Sequence, residues 1–206
     1  MELIKQLLNY KNGFFIEVGA NDGIQQSNTL FFEQDLGWDG ILIEPCKSSF
    51  ERCRANRKCN YVVHSALVGD ETVNSIRGDF NDGHLMSSID GKRLHRDDTS
   101  EVPATTLNKI LRSIHLNRTI DLFSLDVEGY EYEVLQGLDL NAYKVKCILI
   151  EIMLHNYEKV VKHLEQNNFV LIDNVTKFTK ETHPGWDGTH NDYIFCLREF
   201  LLVNPV

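Results

Sequence analysis

Residues Phe14 to Glu33, FFIEVGANDGIQQSNTLFFE, constrain this chain more than any other stretch. The apolar run Phe14 to Val18 reads as a buried strand and Gly19 to Gly23 as a tight turn. A helix then opens near Ser27 and Asn28, either of which can cap it. A strand that passes through small residues straight into a helix aims free backbone N–H groups at whatever lies above the strand's carboxyl end. Gly19 and Gly23 allow the sharp turn and leave room for close backbone approach. A purely structural strand-helix connection has the same outline, so the residues around the turn must indicate the ligand.

A dinucleotide site wants G-x-G-x-x-G packed against a pyrophosphate. Here the turn is Gly19-Ala20-Asn21-Asp22-Gly23, with Glu17 just before it and Asp22 inside it. Two carboxylates would repel phosphates but suit a cationic ligand that carries an ammonium group and hydroxyls. S-adenosylmethionine is a ligand of that kind. The missing third glycine argues against an NAD-dependent oxidoreductase.

The chain has 206 residues and a formal net charge of −9. That length suits one globular domain with a substantial core, and the negative charge, with no long Lys/Arg run, argues against nucleic acid as a partner. Apolar runs such as Phe14 to Ile16 and Ile148 to Ile150 fall far short of the ~20 residues a membrane helix needs, so no membrane partner is expected. The opening MELIKQLLNYKNG reads as a short amphipathic helix without the apolar core of a secretory signal. Five cysteines (Cys46, Cys53, Cys59, Cys147 and Cys196) form no C-x-x-C pair and read as free thiols of a cytoplasmic protein.

Along the chain, strands and helices alternate. A helix over Thr29 to Leu36 ends at Gly37-Trp38-Asp39-Gly40. Ile41 to Ile43 is a second strand that stops at Glu44-Pro45, and Ser48 with Glu51 forms a capping box for a helix over Ser49 to Asn56. Tyr61 to Ser65 gives a third strand, with Ala66 and Leu67 at its end. Asp70 to Thr99 is polar and weakly periodic, read as a strand or hairpin and then a mobile loop around Met86-Ser87-Ser88 that could close over a substrate. Leu107, Ile110, Leu111 and Ile114 mark one face of a helix. Ile120 to Leu125 is the fourth strand and is followed by Asp126-Val127-Glu128-Gly129 and a helix from Tyr130 to Gly137. Lys146 to Ile150 is the fifth, stopping at Glu151. Helical spacing over Tyr157 to Leu164 precedes a sixth strand, Phe169 to Ile172, and Asp192 to Leu197 is the last, antiparallel at the sheet's edge. The alternation specifies a doubly wound, mostly parallel sheet.

In such sheets ligands bind outside the carboxyl ends of the strands. Glu17, Glu44, Asp126 with Glu128, and Glu151 each end a different apolar strand, so folding is expected to gather them on one rim. Glu44 lies about 25 residues beyond Gly19, where a Rossmann-like fold places the carboxylate that takes a ribose diol. His155, four residues after Glu151 and ahead of a helix that Asn156 can cap, is the histidine best placed as a base. His190 and Asp192 come second. Glu128 has two readings, orienting substrate or capping the helix after Gly129.

FFIEVGANDGIQQSNTLFFE, GWDGILIEP, VPATTLNKIL and IDLFSLDVEGYEYEVLQGL together resemble the FkbM family of S-adenosylmethionine-dependent methyltransferases, from about Phe14 to Glu151. The resemblance implies an α/β fold: the Rossmann-like class I methyltransferase sheet, seven strands in the order 3-2-1-4-5-7-6, mostly parallel with an antiparallel edge pair. It implies O-methylation, often of sugars or natural products. By the same resemblance Glu17, Gly19, Asn21, Asp22 and Gly23 would surround the methionine part, with Ser27 and Asn28 nearby. Glu44 would hold the ribose, Ala66 and Leu67 would border the adenine, and Asp126 would lie beside the cofactor. Glu17 departs from the aspartate the family more often has there. Asp126 and Glu151 resemble in position the carboxylates that bind Mg²⁺ or Mn²⁺ in metal-dependent small-molecule O-methyltransferases. An acceptor hydroxyl would then be activated by that metal or by a general base among Asp126, Glu128, Glu151 and His155. The expected acceptor is a small molecule or glycan. The contrasting expectation is a catalytically silent nucleoside-binding module. The chain is also compatible with being one module of a larger protein whose neighbouring domains supply the acceptor.

Overall fold

The computed structural model describes residues 2–59, 61–81, 87–89 and 98–203. Helix α1 (Glu2–Leu7) leads into β1 (Phe14–Val18), α2 (Leu30–Leu36), β2 (Asp39–Glu44), α3 (Lys47–Asn56), β3 (Tyr61–His64) and β4 (Ala66–Leu67). Then come β5 (Ser75–Gly78), β6 (Ser100–Thr105), α4 (Leu107–Ser113), β7 (Ile120–Leu125) and α5 (Glu131–Gln136). The chain continues with β8 (Val145–Met153), a 3-10 turn (Leu154–Asn156), α6 (Tyr157–Gln166), β9 (Phe169–Asn174), β10 (His190–Leu197) and α7 (Arg198–Val203). Among the described residues no helix is long and apolar enough to cross a membrane.

Seven strands form one sheet in the order β3-β2-β1-β7-β8-β10-β9. Counted along the chain, that is the expected 3-2-1-4-5-7-6. Neighbours are parallel from β3 to β8, and β10 runs antiparallel to both β8 and β9. The alternation of side chains along a strand splits the core into two layers. Phe14, Ile16 and Val18 of β1 pack with Leu107 and Leu111 of α4, Val134 of α5 and Leu164 of α6. Phe15 turns the other way, toward Phe32 of α2, Cys53 of α3 and Phe200 of α7. Cys147 and Cys196 are free, buried and directly opposite each other on β8 and β10.

Some boundaries differ from the sequence reading, each for a local reason. Helix α3 starts at Lys47 without a side-chain cap, because Ser48 Oγ lies 3.3 Å from Cys46 Sγ rather than forming the expected box with Glu51. Helix α2 begins at Leu30, its first N–H groups served by Ser27 Oγ, which accepts from Thr29 N and Leu30 N. Strand β8 runs to Met153 because antiparallel β10 continues the ladder, His190 opposite Met153, after parallel β7 has ended. A small second sheet, β4-β6-β5, was not foreseen as a unit. It carries the wall that faces the ends of β1 and β2. Met86 of the expected closing loop lies outside the described residues. Ser88 and Ile89 are fixed to that wall, by Asp79 N donating to Ser88 O and by a bridge between Gly78 and Ile89.

One buried cation ties the first turn together. The Arg57 side chain, with no exposed surface, donates from Nη1 to Gly23 O at 2.9 Å and Ser27 Oγ at 3.0 Å, and from Nε to Glu33 Oε2 at 2.9 Å. It also lies 3.5 Å from Glu17 Oε2. Glu17 in turn accepts from Asn28 N, Ser27 Oγ and Thr29 Oγ1. Removing one member of a buried, hydrogen-bonded ion network strands the other charge. Arg57→Ala is therefore expected to lower unfolding free energy by about 3–5 kcal/mol in denaturant titration. A loss below about 1 kcal/mol, the scale of an exposed pair, would contradict this role.

Candidate functional site

Register builds the site. Val18 of β1 is paired with Ile43 of β2 and Leu125 of β7, and Leu125 with Ile150 of β8. The next residue on each strand is Glu44, Gly19, Asp126 and Glu151, while Asp192 of β10 sits directly opposite Glu151. Glu44, Gly19, Asp126, Glu151 and Asp192 thus form one lateral row at the carboxyl edge of the parallel strands. Glu151 occupies this row from inside β8, not from beyond its end as expected.

Above the row lies a crevice of about 640 Å³, open solvent at its mouth included. Gly19, Asn21, Glu44, Asp126 and Glu128 line its polar side. Gly19 has φ +82°, and a Cβ there would fall 2.0 Å from Asp126 O. No other residue allows the first turn to lie this close to the neighbouring strand. Glu44 is 7 % exposed, with Oε2 accepting from Asn21 N and Oε1 from Cys46 N, both at 2.8 Å. Burial pushes its pKa up to about 7 against those two hydrogen bonds. The opposite side is apolar: Ala66 and Leu67, as expected, joined by Phe80 and Ile89, which the sequence reading missed. Phe80 is an isolated aromatic in a polar stretch, and only its burial beside Cys46, Ala66 and Val102 shows its place.

On the other side of the Gly19 turn a narrower opening of about 390 Å³ is lined by Glu17, Ser27, Asn28 and Ser124. It shares Gly19, Asn21 and Asp126 with the first, so one elongated ligand can lie across the turn. Glu17 faces this opening with its carboxylate already engaged by residues 27–29 and Arg57, so it shapes the cradle. Two expectations need correction. Asp22 lines neither opening; its Oδ1 accepts from Ile24 N and Gln25 N and closes the turn on itself. Gly23 packs against Arg57, where a Cβ would fall 2.6 Å from Cγ.

Asp126, Glu128 and Glu151 bring carboxylate oxygens within 4.8 Å of one another. Asp126 is open to solvent at the crevice floor but surrounded by protein. That desolvation, with the charges of Glu128, Glu131, Asp192 and Glu17, raises its pKa well above the usual carboxylate value. Desolvation and then Asp126 and Glu128 raise that of Glu151 likewise. Glu151 Oε1 is buried without a hydrogen-bond partner among the described residues, and Oε2 lies 3.6 Å from His190 Nε2. Glu128 holds the left-handed conformation at φ +55°, a strained state for a side-chain-bearing residue. It does not cap α5, which has no side-chain cap; ahead of the helix, Glu131 Oε1 accepts from Gly129 N at 2.8 Å. Asn156 does not cap α6 but donates to Gly129 O at 2.9 Å. The two fix the loop from both sides.

These residues fit a sulfonium nucleoside. Glu44 has lone pairs beyond its two backbone bonds for a ribose diol, the Ala66–Phe80 wall suits a flat base, and the glycine cradle leads the tail past Asp126. The all-oxygen cluster, with an unpartnered buried oxygen on Glu151, likewise fits a hard divalent cation such as Mg²⁺ or Mn²⁺. His155 is exposed on the 3-10 turn and lines an adjoining crevice with Glu128, whereas His190 is the histidine that reaches Glu151.

The raised pKa of Glu44 gives a pH signature without any ligand. Folded Glu44 keeps a proton that the unfolded chain releases near its ordinary value of 4.5. Its stabilising protonation is complete below 4.5 and is lost as pH rises through about 7. Between those values the wild type should lose about 3 kcal/mol of stability relative to Glu44→Gln. Parallel curves for the two proteins in urea titrations across that range would contradict the assignment.

The comparisons agree with this geometry. Residues 17–180 match the methyltransferase FkbM domain. No curated protein matches the chain at a significant level. Among solved structures, methyltransferase FkbM from Methylobacillus flagellatus KT is similar at TM-score 0.50 and 14 % identity, covering 89 % of this chain and 43 % of its own. A precorrin-6y C5,15-methyltransferase from Geobacter metallireducens GS-15 is similar at TM-score 0.52 and 13 % identity, covering 96 % and 86 %. A human methyltransferase 10 domain containing protein gives TM-score 0.52 at 10 % identity, covering 96 % and 79 %. At such identities these structures speak for the fold, and the domain match carries the family. With the seven-stranded order and the glycine-floored crevice already in place, the chain belongs to the FkbM family of S-adenosylmethionine-dependent methyltransferases.

Proposed function

We propose that this enzyme methylates a hydroxyl of a sugar, glycan or related small molecule. One observation carries the reading. A second crevice, of about 1080 Å³, adjoins the first and shares Ile89 and Glu128 with it, so cofactor and acceptor would meet over the carboxylate cluster. Tyr130, His155, Asn156, Lys159 and Thr189 line it with donors and acceptors suited to hydroxyl groups. The net charge of −9 and the acidic rim disfavour a polynucleotide acceptor.

Bound S-adenosylmethionine supplies a methyl group on a positively charged sulfur. Around it, Gly19 and the Asp126 backbone set the floor, Glu44 anchors the ribose end, and the row of carboxylates favours the positive centre. In-line transfer depends on alignment, which the shared wall at Ile89 and Glu128 imposes on two ligands entering from different sides. The acceptor hydroxyl must also lose its proton. Asp126, Glu128 and Glu151 would hold a divalent ion, which would lower the pKa of a hydroxyl bound to it. Without an ion, the positive charge of the cofactor would have to bring Glu151, 3.6 Å from His190, into its charged form before it could take the proton.

The two routes separate experimentally. In a methyl-transfer assay with simple glycosides, chelation by EDTA should abolish turnover and Mg²⁺ or Mn²⁺ should restore it. Glu151→Gln should lower kcat by about 10²-fold or more on either route. Turnover that survives chelation but not Glu151→Gln assigns the base role to Glu151. Full turnover in both Glu151→Gln and Asp126→Asn would refute the site.

A further inference from the structure

Beyond the acceptor crevice, the chain between β9 and β10 folds into an open groove of about 940 Å³ lined by Phe178, Thr182, His183, Trp186, Asp187 and His190. Most of these residues lie past residue 180, beyond the stretch matched to the family domain. We propose that this groove is a saccharide subsite that holds the pyranose ring next to the one being methylated. The proposal rests on the methyltransferase reading above and places its acceptor.

Three features support it. First, the groove presents flat aromatic faces on an open surface: the Phe178 ring lies 4.3 Å from His183 and 6.5 Å from Trp186, centre to centre, tilted by 58° and 54°. A tilted platform suits the C–H face of a pyranose, which stacks on an aromatic plane while its rim hydroxyls stay free for hydrogen bonds. A cationic methylammonium would instead want a closed box of rings.

Second, the platform is rigid before any ligand arrives. Trp186 Nε1 donates to His190 O and Trp186 N to His183 O, both at 2.9 Å. His183 N donates to Thr179 O, and Phe178 N to the buried Asn191 Oδ1, each at 2.8 Å. A preformed aromatic surface loses little freedom on binding, which matters for a weakly held neutral ligand.

Third, the groove leads to the chemistry. Asp187, with a side chain 41 % exposed, stands on the rim 3.5 Å from His190 Nδ1. The other nitrogen of the same ring is 3.6 Å from Glu151. His190 therefore forms the partition between the platform and the carboxylate cluster, and Thr189 beside it faces the acceptor crevice. A glycan lying on Phe178 and Trp186 would present its next residue to that crevice.

The test is saturation-transfer NMR on the whole chain with S-adenosylhomocysteine present, using methyl glycosides of glucose, mannose, galactose and rhamnose, and maltose. Choline serves as a cationic control. At least one sugar should show transfer through its ring C–H protons and shift the Trp186 indole N–H, leaving that of the buried Trp38 in place. Trp186→Ala and the bulk-preserving Phe178→Leu should each weaken the sugar by about tenfold, as loss of an aromatic face does. S-adenosylhomocysteine binding, read in the same samples, should be unchanged and reports that the variants fold. If S-adenosylhomocysteine binds but no sugar does, or choline alone binds, or Trp186 only mediates self-association, the subsite is wrong and the methyltransferase reading stands. If S-adenosylhomocysteine itself does not bind, both fall.

Discussion

Like charges crowded at one level of a sheet are the condition on which the rest of this molecule depends. Asp126, Glu128 and Glu151 lie with oxygens within 4.8 Å of one another, and Asp192 and Glu44 stand in the same row. Folding raises the pKa values of Asp126, Glu151 and Glu44, which states physically that the charged forms are disfavoured there without a partner. A protein does not hold such groups together for stability. The arrangement becomes favourable when positive charge arrives, as on the sulfonium of S-adenosylmethionine.

The surroundings keep that row in place. On one flank Arg57 neutralises Glu17 and Glu33 and fastens residues 23–29, so the glycine turn is held by the protein's own bonds. On the other, Glu131 and Asn156 grip the backbone at Gly129 and hold Glu128 in its strained conformation. Beneath, Asp121 accepts from Tyr10 and Phe14 N and pairs with Lys146, tying the opening segment to the amino-terminal ends of the central strands. The site is thus carried by buried side chains that bond back to the backbone around it.

Much of this was legible in the residues, for a definite reason. Apolar runs that stop at an acidic residue locate strand ends without knowledge of pairing, so Glu44 and Asp126 fall on one rim as expected, whereas Glu17, counted with them, lies inside β1 and Gly19 takes its place in the row. Glu151 falls on the same rim as expected, but its place inside β8 depends on how far β10 extends the ladder, which no local pattern shows. Glu17 lines the narrower opening with its carboxylate engaged by Arg57, a partner 40 residues away that no local pattern announces. Phe80 and Ile89 escaped notice because they come from a polar stretch without periodicity and reach the crevice only through the small sheet of β4, β5 and β6. That Glu128 takes a positive φ and leaves α5 without a side-chain cap is something composition does not encode.

A crystal structure with S-adenosylhomocysteine would show directly whether the carboxylate row receives the cofactor. Ribose hydroxyls are expected within hydrogen-bond distance of Glu44, the base between Leu67 and Phe80, and the sulfur above Gly19 facing Asp126. A nucleoside bound away from the carboxylate row, or crystals that remain free of ligand at saturating concentration, would contradict this placement.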